Sequence, residues 1–219
     1  MGSDGRDRYV SQTRDHYRAE EVAARYHARQ RGAVADRVLA ALERRAVRRG
    51  VAVLGLTERR SVVDVPAGAG KLTALLASSG PYVAVDISTA MLAFLPAGTP
   101  RVVADAEHLP LRPSSADLVV CLRLLHRVPE EVFERIVAEL VSCARRGIVL
   151  SYVAQARRPW AHRILRLALR REAYPAQVLT PERVATLVVR SGARVVADHS
   201  VSFGAARERV AAVALDGSR

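Results

Sequence analysis

Three aspartates stand in or at the end of short apolar runs: Asp64 in S-V-V-D-V, Asp86 in Y-V-A-V-D and Asp105 in R-V-V-A-D. After the first comes a small-residue turn, Pro66-Ala67-Gly68-Ala69-Gly70. With no side chain at Gly68 or Gly70, a ligand can lie against the backbone. Helical spacing at Leu72, Leu75 and Leu76 then turns amide groups toward it. Strand, tight turn and helix together read as a nucleotide-type cofactor site at the first crossover of a parallel sheet. A phosphate-binding P-loop is excluded: Lys71 follows Gly70, but no glycine lies five residues before it and Leu72 replaces the Ser or Thr. The dinucleotide fingerprint G-x-G-x-x-G is absent as well.

The candidate proton acceptor is His126 in L-L-H-R-V-P, an imidazole whose ordinary pKa of about 6.5 suits a base. Its alternative role is packing or capping beneath a substrate. Arg123 and Arg127 on the same segment would meet an anionic acceptor or face solvent. Cys121 and Cys143 lack metal-ligand spacing, and no His/Asp constellation stands beside them. Both are expected to be reduced and buried, with no metal, in a cytoplasmic protein.

The elements that must position these residues alternate. A polar tail at residues 1–18, without an apolar signal region, precedes a helical pattern over Ala19–Gly50, with Val22, Tyr26, Val34, Val38, Leu39 and Leu42 as inward positions and Arg49-Gly50 as its stop. Strands are expected at Val62–Val65, Tyr82–Val85, Arg101–Ala104, Ala116–Cys121, Gly147–Val153, Ala193–Ala197 and Arg209–Leu215. Ser88, Pro129-Glu130-Glu131 and Thr180-Pro181-Glu182 open the intervening helices. That order predicts an α/β fold: a Rossmann-like, doubly wound, mostly parallel seven-stranded sheet with an antiparallel last strand, plus N-terminal helices.

The formal net charge is +12, and 34 residues are basic, Lys71 being the single lysine. Such an arginine excess follows from a GC-rich genome whatever the function. The excess also sits on the flanks: residues 1–60 carry 14 basic against 8 acidic groups, 61–156 carry 8 against 9, and 157–219 carry 12 against 5. The stretch Arg157–Arg171, with Trp160 among its arginines, is amphipathic. It would meet an acidic acceptor, a nucleic-acid backbone or a membrane surface, or simply face water.

From Ser61 to Leu215 the order of motifs resembles the class I S-adenosylmethionine-dependent methyltransferases of the small-molecule type. The family's acid followed by G-x-G-x-G stands here as Asp64-Val65-Pro66-Ala67-Gly68-Ala69-Gly70, with Pro66 replacing the first glycine and removing a backbone donor. The resemblance implies that Asp86 holds the ribose hydroxyls and that Asp105 and Ala106 meet the adenine amino edge. Ile87 and Met91 would contact its faces, with Asp64, Pro66, Ala67, Gly68, Gly70 and Cys121 lining the cofactor site. Tyr26 would close over it as a lid, in a helical cap at residues 19–60, while residues 61–219 form the cofactor-binding domain with a basic substrate-side insert at 154–179. Arg123, Arg127 and Trp160 would meet the substrate and His126 would serve the chemistry.

The implied reaction is in-line methyl transfer from S-adenosylmethionine, yielding S-adenosylhomocysteine, to a small molecule, anionic or lipid-linked among the options. The protein's share is mainly positioning and, where the acceptor needs it, removal of a proton. An RNA methyltransferase and a non-catalytic cofactor-binding protein remain as alternatives, in monomeric or homodimeric form. The absence of Asn-Pro-Pro-Tyr or Asp-Pro-Pro-Tyr after the fourth strand counts against a base-nitrogen acceptor.

Overall fold

The computed structural model describes residues 21, 23–24, 34–154, 177–201 and 208–216. Over them the elements run α1 (Val34–Val53), β1 (Val62–Asp64), α2 (Thr73–Ala77), β2 (Tyr82–Asp86), α3 (Thr89–Leu92), β3 (Arg101–Val103) and β4 (Ala116–Cys121). A 3-10 turn (Leu125–Arg127), α4 (Glu130–Cys143), β5 (Ala144–Val153), α5 (Pro181–Arg190), β6 (Ala193–Ser200) and β7 (Glu208–Leu215) complete them. The strands form one seven-stranded sheet in the order β3-β2-β1-β4-β5-β7-β6. β1 to β5 pair in parallel, as the alternation of elements predicts, and the expected antiparallel last strand, β7, lies between β5 and β6.

The β-branched runs become central strands because both faces of the sheet are covered. Period-two alternation sorts the side chains. Val119 and Cys121 of β4 join one core with Phe133, Ile136 and Leu140 of α4 and Leu187 of α5. Leu118 and Val120 join the other, with Val47 and Val51 of α1, Leu76 of α2 and Leu72 just before it. Each fully buried Leu, Ile or Phe contributes about 1.5–3 kcal/mol. Strand order reverses between β1 and β4, so their carboxyl ends open a crevice between the segments that follow them. The glycine turn leaves β1 there, and Arg123 to Arg127 leave β4 on the same edge.

The structure corrects the helix readings. α1 does not stop at Gly50 but continues to Val53, and Gly55, with φ +67°, follows its end. Gly50 faces the sheet: a Cβ there would stand 3.1 Å from Val149 Cγ2, so glycine lets α1 approach β5 closely. Val38, expected inward, is 48% exposed, and the buried stripe runs instead through Ala40, Glu43, Ala46, Val47 and Val51. The helix after the glycine turn is five residues long. The expected tail at 1–18, the lid residue Tyr26, and Trp160 with most of the basic insert lie outside the described residues.

Candidate functional site

The turn after β1 is stitched to both neighbouring strands. Val65 donates its N–H to Val120 O (2.9 Å) and Ala67 donates to Val85 O (2.9 Å), while the Val65–Pro66 peptide between them is cis. Pro66 needs no partner for a missing N–H. The two glycines then differ. Gly68 (φ +55°) would carry a Cβ into open space, leaving room for a ligand against its backbone. Gly70 (φ +82°) would put a Cβ 2.7 Å from Leu95 Cδ2, so its absent side chain serves packing.

Asp86 locks this turn. Its Oδ2 accepts from Gly68 N (2.8 Å) and its Oδ1 from Ser88 N (2.9 Å). Burial pushes its carboxyl pKa up, while the amides of Ser88, Gly68 and Ile87 oppose that rise. Each carboxylate oxygen retains acceptor capacity for a hydroxyl. Ser88 also caps α3, its Oγ accepting from Met91 N (3.2 Å), so the loop carrying Ile87 is held at both ends. Met91 packs in one cluster with Ala69 of the turn and with Ala23.

Asp105, past β3, accepts from Glu107 N (3.0 Å). Ala106 and Glu107 beside it are buried, and Arg135 of α4 pairs with the Glu107 carboxylate at 2.8 Å. Asp64 lies deeper, only 2% exposed, accepting from Tyr82 Oη (3.0 Å), which also meets Thr73 Oγ1 (3.1 Å). Burial, more than the nearby Asp86 charge, raises its pKa to about 7, against the Tyr82 hydrogen bond. Asp64 therefore ties β1 to β2 and α2 from beneath the turn. Cys121 is fully buried in the α4 face of the core, which pushes its thiol pKa up.

Arg123 adopts φ +63° as the chain leaves β4, and its N–H donates to Ser151 Oγ of β5 (2.8 Å). Its carbonyl accepts from Arg127 Nε (3.1 Å), closing the loop that holds His126. Burial pushes the His126 pKa down to about 3, with Arg127 and Arg123 adding to the fall, and its buried Nδ1 has no hydrogen-bond partner. The far root of the basic insert returns here: Gln177 N donates to His126 O (2.7 Å) and Leu179 N to Val153 O (3.1 Å).

The structure thus brings Asp64, Pro66, Ala67, Gly68, Gly70, Asp86, Ile87, Met91, Asp105 and Ala106 around the edge at β1 to β3, with Arg123, His126 and Arg127 across it after β4. Sequence reasoning missed Tyr82, Thr73, Ser151 and above all Glu43, a fully buried acid of α1 paired with Lys71 and Arg123. The available signal was the single lysine, placed directly after the glycine turn.

Residues 63–151 match the family model described as a methyltransferase domain. No curated protein matches the chain by sequence. Among solved structures, magnesium protoporphyrin IX methyltransferase from Synechocystis PCC 6803, with S-adenosylhomocysteine bound, is 18% identical at a TM-score of 0.74, covering 94% of this chain and 99% of that one. A possible histamine N-methyltransferase from Thermotoga maritima is 18% identical at 0.63, covering 90% and 98%. An S-adenosylmethionine-dependent methyltransferase from Mesorhizobium loti is 19% identical at 0.59, covering 76% and 96%. The fold is that of the class I methyltransferases, and residues 63–151 of the chain carry the match to a methyltransferase domain.

Proposed function

We propose that this chain is an S-adenosylmethionine-dependent methyltransferase that acts on an anionic small molecule, with a carboxylate as the methyl acceptor. The observation that carries the reading is the electrostatics of the loop after β4, where two arginines surround an imidazole held neutral down to about pH 3. A group that binds protons so weakly is a poor general base for an alcohol at neutral pH. A carboxylate needs none, being ionised above about pH 4. The Arg127 charge favours an anion in that loop and disfavours a cationic amine, while the Arg123 charge is offset by its ion pair with Glu43. The Synechocystis neighbour, named for a porphyrin substrate, is compatible with a small-molecule acceptor.

On the cofactor side, open space at Gly68 and the ringed carboxylate of Asp86 fit an adenosyl ligand with vicinal hydroxyls. When bound, S-adenosylmethionine supplies an activated methyl group. Asp86 would accept from the ribose hydroxyls while holding Gly68, Asp105 and Ala106 would meet the adenine edge, and Met91 with Ile87 would flank its ring. Of the expected cap at 19–60, α1 covers the sheet, and the segment around Ala23 would close over the turn, a role supported by Ala23 packing with Ala69 and Met91. Arg123 and Arg127 would orient the acceptor, and His126 would shape the loop without carrying a proton.

Methyl esters give the test its chemistry, because alkali releases them as volatile methanol whereas methyl ethers and methylamines survive. Incubation with methyl-tritiated cofactor and separate carboxylate, hydroxyl and amine panels, with magnesium protoporphyrin IX among the carboxylates, is expected to yield alkali-labile label. Alkali-stable label, or incorporation into RNA, would overturn the carboxylate assignment.

A further inference from the structure

The inward stripe of α1 carries one charged residue, Glu43, with no solvent exposure. Its two oxygens are spent on different segments: Oε2 pairs with Lys71 Nζ, one residue past Gly70, and Oε1 accepts from Arg123 Nη1 at 3.1 Å. Glu208 of β7 faces the same cluster, near Glu43, Arg123, Lys71 and the Ser151 hydroxyl. A buried ion network is a costly way to stabilise a fold, since well-packed apolar side chains of similar volume do as well or better. What such a network supplies is a defined geometry. Here it spans the crevice beside the switch point, joining the root of the glycine turn to the loop after β4. The Arg123 backbone lies in a left-handed conformation that a β-carbon disfavours. It is held from one side by Ser151 Oγ on its N–H and from the other by Glu43 on its guanidinium.

We infer that Glu43 is a positioning residue: through Lys71 and Arg123 it fixes the glycine turn and the acceptor loop relative to each other, making α1 part of the methyl-transfer site. The inference rests on the proposed assignment of those two segments to cofactor and acceptor. Glu43 touches neither ligand in this account and acts through the two cations. Removing its charge while keeping its shape should loosen both segments and leave the two helix-covered cores intact.

Amide hydrogen exchange reads this without any ligand, because each segment carries a hydrogen-bonded amide: Gly70 N on Ala67 O (3.1 Å) and Arg127 N on Leu124 O (2.8 Å). In Glu43→Gln, exchange at both amides is expected to rise about tenfold or more, with β5 and α4 unchanged. S-adenosylhomocysteine binding, measured by calorimetry, should weaken about tenfold. Wild-type exchange at either segment, or a uniform rise across the core, would overturn the inference. Should Glu43→Gln not fold, Lys71→Met removes one arm alone and must raise exchange at Gly70, while Lys71→Arg, which can keep the ion pair, must restore protection. Failure of that pattern overturns the inference equally. If the wild-type chain binds no S-adenosylhomocysteine, the proposed function fails, and the exchange arm still decides whether Glu43 couples the two segments.

Discussion

Asp64 offers a quantitative handle, since its carboxyl is buried and its pKa moves from an ordinary 3.8 to about 7. The folded state therefore holds a proton that the unfolded chain has released between those values. Linkage then gives the sign: the folded form binds more protons, so this group's contribution to stability falls as pH rises from about 4 to 7 and is flat above that. At about 1.4 kcal/mol for each pH unit, the cost is about 4 kcal/mol at pH 8 and about 1.5 kcal/mol at pH 5. Asp64→Asn removes the titration and leaves an amide oxygen to accept from Tyr82 Oη. Urea unfolding of wild type and variant at both pH values measures the difference, and comparison within each pH cancels most other titrating groups. The variant should gain about 2.5 kcal/mol relative to wild type on going from pH 5 to pH 8. A pH-independent difference, or a gain toward acid, would refute the buried, protonated Asp64.

The two glycines of the turn should separate stability from binding. Gly70→Ala, strained at φ +82° and set against Leu95, is expected to lower stability by about 1–3 kcal/mol in chemical denaturation. Gly68→Ala should cost only about 1 kcal/mol, because its Cβ meets nothing, yet weaken S-adenosylhomocysteine binding about tenfold or more. An unchanged dissociation constant would deny that a ligand lies against Gly68. His126→Gln should slow methyl transfer less than about tenfold, and the wild-type rate should show no His126 step between pH 5 and 8, since its pKa lies near 3. A loss of about a thousandfold would instead make His126 a proton carrier.

The strands and their order were legible because buried β-branched runs and capped helix starts are local signals. Ala116–Cys121 appears with the boundaries read from sequence, and Thr180 caps α5 through its side chain as its position implied. The acids at the strand ends were equally local, each set by the edge where its strand stops. α1 was less legible, because what faces the sheet is decided by what lies opposite. Gly50 reads as a helix stop until Val149 is seen to need the space. Nothing local singles out Glu43, because its partner Arg123 lies 80 residues away. The same distance problem hid Tyr82, whose hydroxyl on β2 reaches Asp64 on the neighbouring strand β1. The helix-amide contribution expected behind the turn is smaller than the pattern suggested, since α2 is one short element and Asp86 already takes the Gly68 amide.

The central claim is that the crevice lined by Gly68 and Asp86 binds the methyl donor and its product. Calorimetric titration of S-adenosylhomocysteine into wild type and Asp86→Ala tests it most directly. Wild type should bind one equivalent per chain. The variant, losing hydrogen bonds to a charged acceptor at about 1.5–3 kcal/mol each, should bind at least about tenfold more weakly. No binding by wild type, or an unaltered dissociation constant in Asp86→Ala, would contradict the account.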